Sequence, residues 1–507
     1  MAQSIAGTNL ASNWHSPVAE PVVRVYADWD LDGDYSDADE DISGYVLRVS
    51  IAHRLLDAVY GLPVMGGGRV STASLTLLNP AHRFTPENAN GLAGTYASIA
   101  QRKAYRVPVK IEMGYRDAVN GAEVLTQFVG QVENADPNER AGQRKLVYTC
   151  KGLDGFIERH RIYSTVREDQ RVDQLIAHYL TAAGLTAQQL DKAVTTLPFA
   201  WANGEPLLDL LRAFAAADGG WLYWDKAGVA RYERATHWLE SADSLTPQAT
   251  LTGAVATQQR NEALYRNVFS SVRASYTPMA HGPLRVVYTN DGVVEVPPAA
   301  STTITCEFTQ PCSTRVHTPV VQTDYSPASP AGSDMASHCS LTMTATATRA
   351  ELTVTNSHAS IPLYLYRLRI RGYIIAVGDA QEVRAETALT LIDGQRDHEV
   401  SNPWLVRPEQ AAFVARRMLT LLERPREIVT WTGRLCPWLE LGDLVTVQNS
   451  AQGLDTPAYV VGLHPSYAGG ALRMDAELLP QANVFPGGDY FTLGASKYQT
   501  PSDRVYF

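Results

Sequence analysis

The chain has 507 residues, 45% of them hydrophobic and 19% charged, and its formal net charge is −10. Roughly three or four domains are expected, because one hydrophobic core rarely serves a chain of this length, and the composition excludes a mainly disordered protein. The acidic balance argues against a surface that grips nucleic acid, which needs clustered lysine and arginine.

Strand patterns dominate the first part of the chain. Residues 1–19 are small and polar and predict an N-terminal arm without a core of its own. From Val22 onward, apolar and polar residues alternate in the segments VVRVYADWD, ISGYVLRVSIAHRL, STASLTLL, YRVPVKIEMGY, LTQFVGQVENADPN and RKLVYTCKGLDGF. These segments predict that residues 20–150 form a first β-barrel, closed or nearly closed.

The apolar period changes after residue 150. Helical spacing in RVDQLIAHYLTAAGL predicts an amphipathic helix that ends at Gly184, and EPLLDLLRAFAAADGG predicts a second helix. Their apolar stripes comprise Val172, Leu175, Ile176, Tyr179 and Leu180, then Leu207, Leu208, Leu211 and Phe214. A hairpin follows, with its turn at Asp225 to Gly228. Residues 151–239 are therefore predicted to form a small α/β domain.

The rest of the chain returns to strands. The segment LTMTATATRAELTVTN alternates strictly, so residues 281–366 are predicted to be an inserted β-sandwich. A helix in RPEQAAFVARRMLTLLERP and four closing strand patterns complete a second predicted barrel from residues 240–280 and 367–485. Residues 486–507 are aromatic and Gly-rich and form a C-terminal extension. The predicted fold class is mainly β and multidomain, with two β-barrels, the small α/β domain and the inserted β-sandwich.

Targeting and cysteine patterns point to synthesis in the cytoplasm. The N-terminus lacks the basic start and apolar run of a secretory signal, and no segment approaches the ~20 apolar residues of a membrane helix. The five cysteines contain no CxxC pair, which favours buried thiols over a metal site. A disulfide between Cys306 and Cys312 is left open.

Several segments in this order resemble bacteriophage minor tail proteins of the tail-tip or baseplate hub family. The N-terminal ones are YADWDLDGDYSDADEDIS, GGGRVSTASLTLLNPAHRFTPEN, FVGQVE and YTCKGLDGF. The later ones are LRIRGYII, TLIDGQRDHEVSNPWL, AAFVARRML, LELGDLVTV and YVVGLHPSY. The resemblance covers about residues 20–485, apart from 281–366, and depends on the order of the segments rather than on any single motif.

The resemblance implies a structural role in the virion. Such hubs carry two barrels related to the tail-tube protein, so three chains would offer six barrels and join a sixfold tube to a threefold tip. The implied partners are two further copies in a homotrimer, the tail tube protein, the distal tail protein, the tape measure protein and other tail-tip proteins. DNA would pass through an acidic channel without specific binding during genome ejection.

Two alternative functions remain open. The chain could be a receptor- or glycan-binding tail adhesin that uses residues 281–366, or the hexameric distal tail protein. Two barrels per chain favour the trimeric hub over the hexamer, which would carry twelve barrels. An enzyme is not expected, because HExxH, GxSxG and paired metal spacings are absent from the sequence. A carboxylate pair for cell-wall cleavage is left open, since only separation in space identifies it.

The acidic stretch DWDLDGDYSDADED, residues 28–41, matches part of a calcium-binding loop. Counted from Asp28, the D-x-D-x-D-G pattern places oxygen ligands close together, and Gly33 permits the sharp turn. The candidate metal ligands are Asp28, Asp30, Asp32, Ser36 and Asp39. An Asp at position 12 and flanking strands depart from the helix-loop-helix form. A solvated acidic turn is the alternative, so no cofactor is required and calcium is the only candidate.

Overall fold

The computed structural model describes residues 14, 19–55, 65–96, 104–117, 121–140, 143–252, 256–263, 268–387, 396–423, 427–449 and 454–481. Most of the predicted N-terminal arm and the whole predicted C-terminal extension lie outside these residues, so both stay predictions. In the described part of the chain, no helix is long and apolar enough to cross a membrane. All five cysteines are free thiols, and four of them are buried.

The N-terminal part of the chain is built from long antiparallel strands. They are β1 Glu20–Ala27, β2 Val46–Arg54, β3 Arg69–Leu78, β4 Pro108–Asp117, β5 Gly121–Arg140 and β6 Gln143–Gly152. Two short helices, α1 Leu92–Thr95 and α2 Leu153–Ile157, and 3-10 turns at Ser43–Tyr45 and Pro80–His82 accompany them. In β3 the predicted alternation is confirmed, because alternate residues from Ser71 to Leu77 are buried.

The central part mixes helices with short strands. The strands are β7 Arg161–Tyr163, β8 Arg167–Arg171, β9 Gln188–Leu190, β10 Thr196–Ala200, β11 Asn203–Pro206, β12 Trp221–Trp224, β13 Ala230–Glu233 and β14 Ala249–Thr252. The helices are α3 Val172–Ala182, α4 Leu207–Ala217, α5 His237–Glu240 and α6 Ala242–Leu245. The predicted apolar stripes of α3 and α4 are buried, and both helices are followed by glycines with positive φ, Gly184 and Gly219.

Among the residues that the structure describes, the remaining elements are strands, one α-helix and a 3-10 turn at Ala336–His338. The strands up to residue 377 are β15 Ala256–Ala263, β16 Ser271–Tyr276, β17 Met279–Asn290, β18 Val294–Val296, β19 Ser301–Glu307, β20 Cys312–His317, β21 Ser326–Ala328, β22 Cys339–Ala345, β23 Arg349–Asn356, β24 Leu363–Tyr366 and β25 Leu368–Val377. The strands that follow are β26 Gln381–Glu386, β27 Asp397–Ser401, β28 Glu427–Arg434, β29 Leu444–Asn449, β30 Leu454–Ala468 and β31 Ala471–Pro480. The α-helix α7, Pro408–Leu422, lies between β27 and β28.

A single twelve-stranded sheet joins the two regions that the sequence predicted as separate barrels. Its main order is β1-β4-β5-β6-β3-β2-β30-β31-β28-β15, with β29 between β30 and β14. The junction is the antiparallel pairing of β2 with β30, in which Arg48 faces Ala468 and Arg54 faces Gly462. Glu477 of β31 forms an ion pair with Arg54 at 2.5 Å across this junction.

The prediction of a mainly β, multidomain fold is confirmed, whereas the prediction of two separate barrels is corrected. Among the described residues, the large sheet has open ends at β1 and β15 and does not close on itself. Local alternation could identify the strands of both regions. It could not show that β2 and β30, more than 400 residues apart, pair with each other.

The loop between β28 and β29, residues 435–443, is buried along its whole length. Side chains from distant segments donate hydrogen bonds to its carbonyls: Tyr115 Oη to Leu435 (2.7 Å), and Gln127 Nε2 and Lys226 Nζ to Pro437 (2.8 and 3.1 Å). Buried backbone polar groups need partners, so these bonds allow an irregular segment to lie inside the core. The loop thereby ties the N-terminal strands to the α/β domain and to the C-terminal strands.

Residues 279–377, which we call the insertion, enclose a second hydrophobic core. Three three-stranded sheets surround it, with orders β17-β25-β20, β18-β24-β21 and β19-β23-β22. Met279 faces Val377 at the start of β17 and the end of β25, so the insertion leaves and rejoins the chain at one place. We call the other described residues the body; there β16, β26 and β27 form a small sheet under α7.

Candidate cation site in the acidic loop

The acidic loop, residues 28–41, connects β1 to the segment that leads into β2. Its returning end lies against β1, where Ala27 N donates to Glu40 O and Ile42 N donates to Val25 O, both at 3.0 Å. On its other side β1 pairs with β4. The loop therefore covers part of the free edge of the end strand of the large sheet.

Aspartate side chains organise the first half of the loop. Asp28 accepts hydrogen bonds from Leu31 N (2.5 Å) and Gly33 N (3.1 Å), and Asp30 accepts one from Asp32 N (3.2 Å). The φ angles of Leu31 (68°) and Gly33 (92°) are positive, as tight turns of this kind require. The D-x-D-x-D-G pattern thus produces a chain that folds around its own carboxylates.

Four carboxylates converge in this loop: Asp28, Asp30, Asp32 and Glu40. One oxygen from each lies within 4.8 Å of the others. Three of them were predicted from the sequence, and Glu40 was not, because counting in a helix-loop-helix frame ends at Asp39. The turn that brings the loop back to β1 places the next residue, Glu40, inside the group instead.

The other two candidate ligands lie outside this group. Ser36 is exposed, and its backbone N donates to Asp34 Oδ1 at 2.8 Å. Asp39 is half-buried; its backbone carbonyl accepts from Trp29 Nε1 (3.2 Å) and its Oδ2 from Tyr96 Oη (3.3 Å). Asp39 therefore fixes the loop against neighbouring aromatic residues rather than facing the carboxylate group.

Burial divides the four carboxylates into two pairs. Asp28 and Glu40 are 1% and 2% exposed, whereas Asp30 and Asp32 face solvent. Glu40 Oε2 accepts a hydrogen bond from Asp37 N at 3.1 Å, but Glu40 Oε1 is buried without a hydrogen-bond partner. A buried carboxylate oxygen without a partner is costly, and a bound cation is one way in which proteins compensate for it.

The electrostatics of the loop agree with this geometry. Burial raises the pKa of Glu40 to about 7; the hydrogen bond from Asp37 N opposes the rise, and the charges of Asp28, Asp30 and Asp37 add to it. Burial also raises the pKa of Asp28, although its bonds from Leu31 and Gly33 oppose that rise. Without a cation, the loop therefore holds carboxylates that resist ionisation.

Known proteins resemble this chain in structure only. No family model matches it, and no curated protein matches its sequence. The tail protein from Neisseria meningitidis MC58 superposes with a TM-score of 0.50 at 11% identity, covering 91% of this chain and 97% of that one.

Two further solved structures are similar at lower scores. The 43 kDa tail protein of prophage MuSo2 from Shewanella oneidensis has a TM-score of 0.49 at 12% identity, covering 90% of this chain and 98% of its own. The prophage tail protein gp18 from Listeria monocytogenes EGD-e has a TM-score of 0.40 at 8% identity, covering 90% and 94%. The resemblance to tail proteins seen in the sequence is thus confirmed as a likeness of fold, and this chain is folded like the Neisseria tail protein.

Proposed function

We propose that the chain is a structural, non-enzymatic protein of the tip of a phage-type tail, located in the virion. The observation that carries this proposal is the likeness of fold to a bacterial tail protein over nearly the whole length of both chains. The acidic composition and the order of the sequence segments that resemble tail-tip proteins support the same proposal independently of the fold.

The proposed assembly is a homotrimeric hub. Each chain would contribute two β regions to the wall of the channel, so three chains would match a sixfold tail tube while presenting threefold symmetry to the tip. The pairing of β2 with β30 supports this role, because it fixes the two regions of one chain relative to each other. A rigid connection of this kind is what a symmetry adaptor needs.

The proposed contacts are those of a channel segment. The tail tube, distal tail and tape measure proteins would bind above the hub and other tail-tip proteins around it. DNA would pass without specific binding, because a net charge of −10 favours a lumen that repels phosphates. An assembled channel lined mainly by lysine and arginine would contradict the acidic lumen.

Native mass spectrometry of the purified chain tests the oligomeric state. A trimer is the expected mass. A hexamer would favour the distal tail protein instead, and a monomer would move the test to the assembled tail tip, where partners complete the interface.

One feature favours a second candidate function, a receptor- or glycan-binding adhesin. Of the thirteen exposed large hydrophobic residues in the described part of the chain, eight lie in the insertion, including Tyr366 (39% exposed) and Tyr373 (36%). The ring of His317 lies 5.9 Å from that of Tyr373, and exposed aromatic rings can stack on sugars. Glycan-array binding by the full chain that disappears in Tyr373→Ala would favour this function; no binding would favour an insertion that contacts only neighbouring tail proteins.

A further inference from the structure

We propose that Asp28, Asp30, Asp32 and Glu40 bind one calcium ion, which holds the acidic loop over the free edge of β1. This inference goes beyond the tail-tip role and does not depend on it, because the site lies within one chain. An acidic cluster alone would not carry it. The independent observation is Glu40: its side chain is 98% buried, its carboxylate belongs to the group, and its Oε1 has no hydrogen-bond partner.

The chemistry of the ligands selects a hard divalent cation. All four groups are carboxylates, the oxygen donors that calcium and magnesium prefer, and the group contains no sulfur or imidazole ligand. Opposite oxygens around calcium are about 5 Å apart and around magnesium about 4 Å, given bond lengths of roughly 2.3–2.6 and 2.0–2.1 Å. The four oxygens lie within 4.8 Å of one another, a spacing that fits around a calcium ion, and magnesium demands a more rigid octahedral arrangement and gives up its waters reluctantly.

The positions of the ligands leave the site open to solvent and place it between the two ends of the loop. Exposed Asp30 and Asp32 open the group to solvent, while buried Asp28 and Glu40 belong to the two ends of the loop. The carbonyl of Glu40 already accepts the hydrogen bond from Ala27 N of β1. An ion that joins Asp28 to Glu40 would therefore fix the returning segment on the edge strand.

Covering that edge has a physical consequence. An uncovered end strand presents free N–H and C=O groups to other chains and promotes unintended pairing. With the ion bound, the loop would keep the covered part of β1 unavailable. Loss of the ion would expose it, so removal of calcium is expected to loosen the amides of the loop and of the end of β1.

Isothermal titration of the full chain with calcium, after chelator treatment, tests the site. We expect one calcium per chain and weaker or no binding of magnesium. Glu40→Gln should weaken calcium binding by at least about tenfold, because affinity depends on the number of charged ligands. The matched control is Asp39→Asn, which alters the adjacent carboxylate outside the group and should change affinity by less than about twofold.

Three results would overturn the inference: no calcium binding by the unaltered chain, equal loss in Asp39→Asn and Glu40→Gln, or full binding by Glu40→Gln. If Glu40→Gln does not fold, hydrogen exchange on the unaltered chain decides. Calcium should then slow exchange at the amides of Ala27, Leu31 and Gly33, and an unchanged exchange rate would reject the site. None of these results depends on whether the chain assembles into a tail.

Discussion

The body and the insertion bury their polar groups in different ways. In the body, buried side chains such as Gln127 and Lys226 bond to the backbone of a loop far away in the sequence. The insertion instead has a mainly apolar core, in which the buried Asn356 Nδ2 donates to Val296 O at 3.3 Å and to Ile361 O at 2.8 Å. The body therefore depends more on side-chain hydrogen bonds to a buried loop, and the insertion depends more on apolar packing.

The two regions are joined by hydrogen bonds, a cation–π contact and a small apolar cluster that includes Phe199 of the body and Ile375 of the insertion. Ala347 N donates to Ser164 O at 2.8 Å, and the guanidinium carbon of Arg349 lies 3.4 Å from the ring centroid of Tyr163. Separate hydrophobic cores predict that the body and the insertion unfold in two distinguishable steps. The predictions below test that separation.

The largest effect is expected in the body, at Trp238. This fully buried ring stacks between Trp221 and Tyr459, with 4.7 Å between centroids on each side, and its Nε1 donates to Glu233 Oε2 at 2.9 Å. Trp238→Ala should destabilise the body by about 3–5 kcal/mol and leave the insertion's calorimetric transition unchanged. Trp238→Phe, which keeps an aromatic ring, is the control and should cost less.

The corresponding change in the insertion is Leu352→Ala. Leu352 is fully buried in the second core, on β23. The substitution should destabilise the insertion by about 2–5 kcal/mol and lower only its transition in differential scanning calorimetry. A single transition that both Leu352→Ala and Trp238→Ala shift would show that body and insertion unfold together.

Protonation of His53 at acidic pH should lower the free energy of unfolding of the body. Its ring bonds to Ser71 Oγ (3.0 Å) and to Gln127 O (2.9 Å), and burial, followed by smaller effects of Lys226 and His464, lowers its pKa to about 4. The unfolded chain, with a histidine pKa near 6.5, binds the proton more readily, so this stabilisation is lost as pH falls from about 6.5 toward 4.

The measurement for His53 is a comparison with His53→Gln. The stability advantage of the unaltered chain should shrink by up to about 3 kcal/mol between pH 7 and pH 4. Urea unfolding at several pH values measures it, and other titrating groups cancel because both chains share them. An advantage that does not change with pH would mean that folding leaves the pKa of His53 at its unfolded value, which would contradict the prediction.

The smallest effect is expected on the polar face of the insertion. Thr353 follows Leu352 on β23, and its Oγ1 lies 3.0 Å from that of Thr303 on β19. Thr353→Ala should destabilise the insertion by only about 0.2–1 kcal/mol, because a cross-strand hydroxyl pair near the surface contributes little. A loss as large as that of Leu352→Ala would refute the division between an apolar core face and a polar outer face.

Local signals in the sequence predicted the elements well. The stripes of α3 and α4 and the hairpin β12–β13 were identified from spacing alone, because each depends on neighbouring residues. Strict alternation likewise identified β22, where Leu341 and Met343 are more buried than Thr342 and Thr344.

Long-range arrangements could not be predicted in this way. The pairing of β2 with β30 depends on register between distant strands, and nothing in the sequence CPWLELGD shows that its loop is buried. Glu40 was missed for a similar reason, since its position depends on how the loop returns to β1. The fold class could thus be predicted, whereas the joining of the two β regions and the fourth carboxylate required the structure.

The central claim, a trimeric structural role at the tail tip, is tested most directly by electron cryomicroscopy of tailed particles that carry a tagged copy of the chain. Gly332 is a suitable insertion point, because it is exposed and a Cβ there would meet no atom within 4 Å. The account predicts three tagged copies around the channel at the distal end of the tail. Six copies, copies along the tube, or particles without the tag would contradict it.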